Sequence, residues 1–508
     1  MLIAVTGAGG SIGRVVVSKL LENQDNVCRL LMKDSSKNRK LFRKLQRSFG
    51  SRVQLTSGDV QQKEVCLELV KGADAVLHLA AVIPPKADHD EKLTWKVNYQ
   101  GTCNIADAIL ETGNTAKLIF FSSVAVYGHR TEQHLWGRVG DPLLPSVFDS
   151  YGASKVKAER YILESDLQKW VILRETGVLY DNMMMNNIHD GLIFQTPPNV
   201  LIEWVTAHDT AVLIDGILNS ADDVKSFWNN VYNIGGGPAC RQTGFDTYKD
   251  GFKLIGGDAK KIFEPKWHNL RNFHCFWFSD SEILENMFHF QKESCDDFWK
   301  WFAKKHRIYR LGSLLPAGLI KSLILKPLLK NSNAPAFWVA SGNEAKIAAT
   351  YGSMEKYNQI PDSWEDVDLI CERKDFEEKK KYAPEYDLSH GYDENKPESE
   401  LTIRDLREAA AFRGGRLISL DIKPGDLRTK LTWQCHNRHV FRSSPYTVLK
   451  AGHWCPYCCS PETEWNFDAL SKKIPFFAQV WYDSHEKEED RVYYFNKEMK
   501  PCVRKIKE

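Results

Sequence analysis

An apolar run, Leu2-Ile3-Ala4-Val5, ends at Thr6 in a loop with glycine at positions 7, 9, 10 and 13, and then passes into the apolar-periodic segment Ile12–Glu22. No other feature restricts the fold so tightly. A strand, a turn that only small residues fit, and a helix bring backbone N–H groups and the positive end of the helix to one point. That arrangement grips a pyrophosphate. The alternation continues downstream. Val27–Met32, Val53–Thr56, Ala75–Leu79, Leu118–Ser122 and Val171–Arg174 read as buried strands, with helices around Val97–Thr112 and Tyr151–Glu164. Such βαβ alternation predicts a parallel sheet covered on both faces.

The predicted fold class is therefore α/β, a Rossmann-type doubly wound parallel sheet with a smaller substrate lobe, followed by a small C-terminal α+β metal-binding domain. A chain of 508 residues exceeds one ordinary core. Residues 1–310 are expected to hold the dinucleotide-binding domain and its lobe, the lobe mainly over 180–300, where the alternation lapses. Aromatic residues gather there at Trp267–Phe278 and Phe298–Phe302 and read as lobe core or pocket wall. Residues 311–400 read as a helical connecting region. Within it, Leu311–Leu329 is broken by Pro316, Lys321, Lys326 and Pro327, short of the ~20 apolar residues a membrane span needs. It reads as a docked helix, with a surface-seeking helix as the alternative. Glu372–Glu400 reads as a solvated linker or helix, and a separate domain is expected over 401–508.

A formal net charge of +2 gives no global electrostatic case for nucleic acid or membrane. The twelve cysteines are mostly scattered, which reads as reduced and cytoplasmic. The N-terminal apolar run is too short for a secretory signal, and no transmembrane segment is expected.

The chemistry is carried by Tyr151 and Lys155, four apart on an expected helix that follows the serine-bearing strand. A phenol has a reference pKa of about 10 and moves protons poorly near neutrality; a lysine ammonium one turn along draws it down. The order of motifs resembles the extended short-chain dehydrogenase/reductase family over residues 1 to about 300. Thr6-Gly7-x-x-Gly10-x-x-Gly13 resembles its phosphate loop, and Gly58-Asp59-Val60 the segment whose Asp touches adenine. His78-Leu79-Ala80-Ala81 resembles the turn under the cofactor, and Asn98 with Gly101-Thr102 the central helix. Ser122–Gly128 resembles the serine strand, and Tyr151-Gly152-x-Ser154-Lys155 the catalytic helix. The resemblance implies Tyr151 as acid/base, Lys155 as its electrostatic partner and ribose anchor, and Ser123 as the hydroxyl that positions the substrate oxygen. It implies a cofactor site of Thr6, Gly7, Gly10, Ser11, Ile12, Gly13, Lys33, Asp59, Val60, Leu79, Ala80, Ala81, Asn98, Tyr151 and Lys155.

Members that prefer NAD end the second strand with an acid. Here Leu31 and Met32 are followed by Lys33, with Lys37 and Arg39 nearby, which favours the 2′-phosphate of NADP; a shift of a few residues brings Asp34 into play and favours NAD. Related dehydratases carry Asp-Glu after the active hydroxyl residue, where this chain has Val124 and Ala125. Many epimerases place Asn after the next strand, where Arg174-Glu175-Thr176-Gly177 has Gly177. Hydroxysteroid- and flavonoid-type reductases are nearer, although their Pro after Arg is missing. Met183-Met184-Met185 reads as core or as an adaptable pocket wall. Asp209 reads equally as a lobe contact or a helix cap.

Near the C-terminus, Trp433-x-Cys435-x-x-x-His439 and Trp454-Cys455-Pro456-Tyr457-Cys458 offer two close ligand pairs for zinc: Cys435, His439, Cys455 and Cys458, with His436, Cys459 and His453 as alternatives. Ala409–Cys458 resembles small zinc-ribbon or treble-clef modules, which implies structural zinc. Arg438, Arg442, Lys450 and the basic tail Lys500–Lys507 permit nucleic-acid contact, and Glu486–Asp490 dilutes that face, so a protein partner is equally open. The expected activity is NAD(P)-dependent hydride transfer at a secondary alcohol or ketone of a small-molecule substrate, as an oxidoreductase or an epimerase; a homodimer is allowed. The alternative is a nucleotide-sensing scaffold whose zinc module binds a protein or nucleic acid.

Overall fold

Strand β1 (Leu2–Thr6) lies at the middle of a seven-stranded sheet and passes through the glycine loop into helix α1 (Ser11–Leu20). The structure, a computed structural model, describes all residues except 114, 184, 186–188, 254–256, 308–315, 460–463, 496–500 and 506–508. After α1 come β2 (Val27–Met32), α2 (Ser36–Phe49), β3 (Val53–Ser57), α3 (Lys63–Val70) and β4 (Ala75–His78). Then follow α4 (Gly101–Glu111), β5 (Lys117–Ser123), α5 (Ser150–Glu164), β6 (Trp170–Glu175), α6 (Ala207–Ser220) and β7 (Asn230–Ile234). The strand order is β7-β6-β5-β4-β1-β2-β3, and every pairing is parallel.

Side chains alternate across β1, so Ile3 and Val5 enter one buried layer and Ala4 the other. Both faces of the inner strands are covered, which is why β1, β4 and most of β5 and β6 are apolar rather than alternating, while the edge strand β3 is half exposed. The chain reverses direction of winding between β1 and β4. Their C-terminal ends open the crevice where open α/β sheets bind ligands.

The lobe is built on aromatic packing. Phe194, Phe245, Tyr248, Phe252, Phe263 and Trp267 form one cluster, and Ile320, Leu325, Trp364 and Leu369 of the connecting region pack into it. The described part of Leu311–Leu329 is helical and docks through Ile320 and Leu325, while Leu323 is 69 % exposed; residues 311–315 lie outside the described residues. Among the described residues no helix is long and apolar enough to cross a membrane.

Further on, helix α7 (Glu344–Tyr351) and helix α8 (Ile403–Phe412) precede a three-stranded antiparallel sheet, Arg416–Leu417, Leu431–Gln434 and Val440–Ser443. Trp433 at the centre of this sheet is fully buried. Leu144, Val147, Phe148 and Ala153 share one apolar core with Trp433, Trp454, Phe477 and Trp481. The C-terminal residues are therefore packed onto the helix that carries Tyr151.

Candidate active site

The phosphate loop is shaped by contacts that exclude side chains. Gly7 has φ +71°, and a Cβ there would lie 2.7 Å from the Leu79 carbonyl carbon and the Ala80 nitrogen. A Cβ on Gly13 would collide with the Gly7 carbonyl oxygen. Gly10 caps α1 without any side-chain hydrogen bond, and the first turn, which begins at Ser11 and Ile12, holds no acid. The first N–H groups of the helix are thus left for an anion, which is what a dinucleotide pyrophosphate requires.

Several residues expected at the cofactor also hold the frame. Thr6 Oγ1 pairs with His78 Nδ1 at 2.7 Å and accepts from the Ala80 N–H at 3.1 Å. Asn98 accepts from the Val82 N–H at 2.7 Å and donates to the Val82 carbonyl and to Ser154 Oγ. These bonds fix the Leu79-Ala80-Ala81 turn beside Gly7. The Val60 carbonyl accepts from Asn104 at 2.8 Å. At the end of β2, Lys33 forms an ion pair with Asp59, and Asp34 pairs with Arg39.

Ser123 ends β5 in an extended conformation, its Oγ accepting from the Ala125 N–H at 3.2 Å. Asp149 caps α5, accepting from the Gly152 N–H at 2.8 Å, and so sets where Tyr151 begins the helix. Burial raises the Tyr151 phenol, and a hydrogen bond with Ser123 works against that rise. One turn further, Lys155 is buried and donates to the Phe121 carbonyl at 2.6 Å, its ammonium 5.9 Å from the Tyr151 ring centre. Burial pushes Lys155 down to about 8, against the pull of Glu159 and Glu175.

Sequence reasoning passed over Glu175. In the sheet register it lies opposite Ser123, at the ligand end of β6. Thr210 Oγ1 donates to it at 2.8 Å, and burial pushes the carboxyl up to about 7. An acid at the end of a parallel strand, after the apolar run Trp170–Leu173 and Arg174, was the available cue. Gly177 also has a packing reason: a Cβ there would lie 2.7 Å from the Trp204 ring, so an Asn does not fit. Asp209 does not cap the helix and instead makes a contact within the 180–300 stretch read as the lobe. Thr206 caps α6, and Asp209 Oδ2 accepts from the backbone N–H groups of Lys292 and Glu293.

Ser123, Tyr151 and Glu175 open into one cavity of about 1300 Å³. Trp204, Phe252, Trp299 and Phe337 give it aromatic walls, and Met183 also lines it; Met184 lies outside the described residues. Its roof comes from residues 332–346, read from the sequence only as a connecting region.

In the C-terminal part, the ligand atoms of Cys435, His439, Cys455 and Cys458 all lie within 4.8 Å of one another. Cys435 and Cys458 sulfurs are 3.8 Å apart, and His439 Nδ1 is 3.2 Å from Cys458 Sγ and 3.7 Å from Cys455 Sγ. A tetrahedron with metal–sulfur arms of about 2.3 Å has edges of about 3.8 Å. His453 is turned away, bonding Glu159 at 3.1 Å. The same Glu159 makes a fully buried two-point pair with Arg174, at 3.0 and 2.7 Å. Residues 500 and 506–507 of the basic tail lie outside the described residues.

Residues 3–235, the stretch that builds the seven-stranded sheet, match the model of the NAD dependent epimerase/dehydratase family. The chain is 29 % identical over 208 residues to 3 beta-hydroxysteroid dehydrogenase type 7 of Mus musculus, covering 38 % of this chain and 55 % of that protein. It is 35 % identical over 115 residues to 3beta-hydroxysteroid-dehydrogenase/decarboxylase isoform 1 of Arabidopsis thaliana, covering 23 % of this chain and 26 % of that protein. The chain thus spans about half or less of the length of these curated relatives. Among solved structures, dTDP-glucose 4,6-dehydratase of Streptomyces venezuelae with NAD bound superposes with a TM-score of 0.51 at 18 % identity, covering 61 % of this chain and 98 % of that one. That likeness is one of fold.

Proposed function

We propose that the protein is an NAD(P)-dependent oxidoreductase of the short-chain dehydrogenase type acting on a bulky, apolar secondary alcohol or its ketone. One observation carries this reading: Ser123 and Tyr151 face a single large aromatic-walled cavity, with Lys155 buried one helical turn behind the phenol. The family match and the names of the hydroxysteroid relatives support it.

The bound dinucleotide supplies hydride transfer at the substrate carbon. The chain's own residues handle the oxygen. Ser123 Oγ holds it by a hydrogen bond, and Tyr151 passes the proton to or from it. Lys155, at about 8, keeps its ammonium near neutrality and favours the phenolate. Lys33 in place of an acid at the end of β2 favours the 2′-phosphate cofactor, although Asp59 shares its charge. The cysteine and histidine spacing supports a structural zinc held by Cys435, His439, Cys455 and Cys458.

The test has two parts. Calorimetric titration with NAD⁺, NADH, NADP⁺ and NADPH is expected to show micromolar binding of one pair. With that cofactor, steroid 3β-alcohols are expected to be oxidised. Tyr151→Phe is expected to lower kcat about a thousandfold with nucleotide affinity retained. Full turnover in that variant removes the role given to Tyr151.

A further inference from the structure

The cavity extends past Ser123 and Tyr151 to a second polar group that the chemistry above does not use. Asp88, Asp149 and Lys346 line it together, brought from the segment after β4, the start of α5 and the start of α7. Asp149 uses Oδ1 to cap α5, but its Oδ2 is buried with no hydrogen-bond partner, and so is Asp88 Oδ2. The Lys346 ammonium lies 4.5 Å from the centre of the Phe148 ring and 4.9 Å from that of Trp338. It makes no hydrogen bond or ion pair among the described residues. His274 Nδ1 stands 3.8 Å from Asp149 Oδ2, and burial lowers that imidazole to about 4, so it is neutral at neutral pH.

Leaving such groups unpaired costs about 1–3 kcal/mol each, more where they are charged. A fold does not keep three of them on one cavity wall without cause. The roof above them is fixed: Asp190 accepts from Asn333 at 3.1 Å and pairs with His89 at 2.9 Å, and the Trp338 indole donates to the Ser332 carbonyl. The three groups are thus held in place around the cavity, while the helix cap made by Asp149 Oδ1 and the ring contacts of Lys346 leave the two Oδ2 atoms and the ammonium without a hydrogen-bond partner among the described residues.

We infer that Asp88, Asp149 and Lys346 form a second recognition site, which takes a neutral, hydroxyl-bearing end of the substrate remote from the carbon at which Tyr151 acts. Charge selects the class. An anionic end would meet two carboxyl groups, and a cationic end would meet the ammonium. A purely apolar end would leave all three groups bare. A hydroxyl satisfies both kinds at once, donating to a carboxyl oxygen and accepting from the ammonium. Burial raises Asp88 to about 6 and Asp149 to about 7, and lowers Lys346 to about 8, so the ammonium persists near neutrality. This inference rests on the apolar-alcohol reading and adds a second anchor to it.

The test compares two probes, a steroid 3β-alcohol carrying a second hydroxyl at the far end of its ring system and the same skeleton without it. Affinities are measured by calorimetry on the full chain saturated with the reduced cofactor, so that no turnover intervenes. The diol is expected to bind about tenfold more tightly than the mono-alcohol, the worth of about 1.4 kcal/mol. That advantage is expected to disappear in Lys346→Met and in Asp88→Asn, and to survive in Lys346→Arg. Equal affinity for both probes in the wild type overturns the second site and leaves the proposed activity standing. An advantage that persists in both Lys346→Met and Asp88→Asn overturns it as well. Binding of neither probe to a protein that holds its nucleotide overturns the apolar-alcohol reading and this site with it.

Discussion

In the proposed phosphate loop the groups available to a ligand are backbone N–H groups between Gly7 and Gly13; in the proposed metal cluster they are four side chains, Cys435, His439, Cys455 and Cys458. The loop is set by the sheet beneath it. Thr6 is tied to His78 and Ala80, and Gly7 is wedged against Leu79, so the cradle keeps its shape through contacts with its own chain. In the cluster, Cys435 and His439 flank the turn of a strand hairpin and Cys455 and Cys458 come from a turn further on, so that four donors converge within 4.8 Å. A backbone cradle is thus a product of the fold, whereas a side-chain cradle helps to make the fold. The two also differ in what a single substitution should do.

The largest effect is expected at the cluster. Structural zinc contributes on the order of 10 kcal/mol to small folds. Cys455→Ser, or a strong chelator applied to the wild type, is therefore expected to unfold the C-terminal part, seen as a new low-temperature transition in calorimetry and loss of one bound metal per chain. An unchanged melting profile with the metal gone would put the cluster in the same class as the loop and break the contrast.

The seam between the regions comes next. Burial alone would raise the Glu159 carboxyl, but Arg174 and His453 outweigh it and hold the group down to about 2. Because the folded value lies below the ordinary 4.5, this stabilisation is complete above about pH 4.5 and is lost as the pH falls toward 2. Glu159→Gln leaves Arg174 buried without its counter-charge and is expected to cost about 3–5 kcal/mol in denaturant unfolding at pH 7. The difference from wild type should shrink below pH 4. A difference that stays constant with pH would show that the loss comes from shape and not from charge.

The smallest effect on the fold, with a specific effect on binding, is expected at Gly13→Ala. Its methyl group meets the Gly7 carbonyl oxygen, so the loop must open where the pyrophosphate would sit. Nucleotide affinity is expected to fall about a hundredfold, roughly 2.7 kcal/mol, with a smaller fall in melting temperature than in either variant above. A variant that unfolds would mean that the loop, like the cluster, helps to hold its own surroundings together.

The two cradles were legible in the sequence for the same reason. Each is local: glycines at fixed offsets after a strand, and cysteine and histidine in two close pairs. The inner parallel strands were legible because burial on both faces leaves them mostly apolar. Glu175 was hidden because its meaning depends on register, the fact that β6 sets it opposite Ser123. The Asp88, Asp149 and Lys346 group was hidden more deeply, since three segments far apart in the chain meet only when residues 332–346 fold back over the cavity. Nothing in the composition around Lys346 distinguishes it from other lysines of that region. Thr6 and Asn98 stood out because the motifs contain them, and the sequence did not show that their side chains also tie down neighbouring loops.

The Arg160 guanidinium on α5 donates to the carbonyl of Trp454, the residue beside Cys455, across 294 positions of sequence. That single bond has a consequence in time. While the chain is being synthesised, the helix bearing Tyr151 emerges long before the segment that covers its outer side. Until Trp454 and its neighbours arrive, the outer flank of α5 and the buried charges on it stand open to solvent. Contacts of such long range also close slowly. The nascent chain therefore passes through an interval in which its nucleotide half is formed but unsealed, and the ordering of the cysteine module marks the end of that interval.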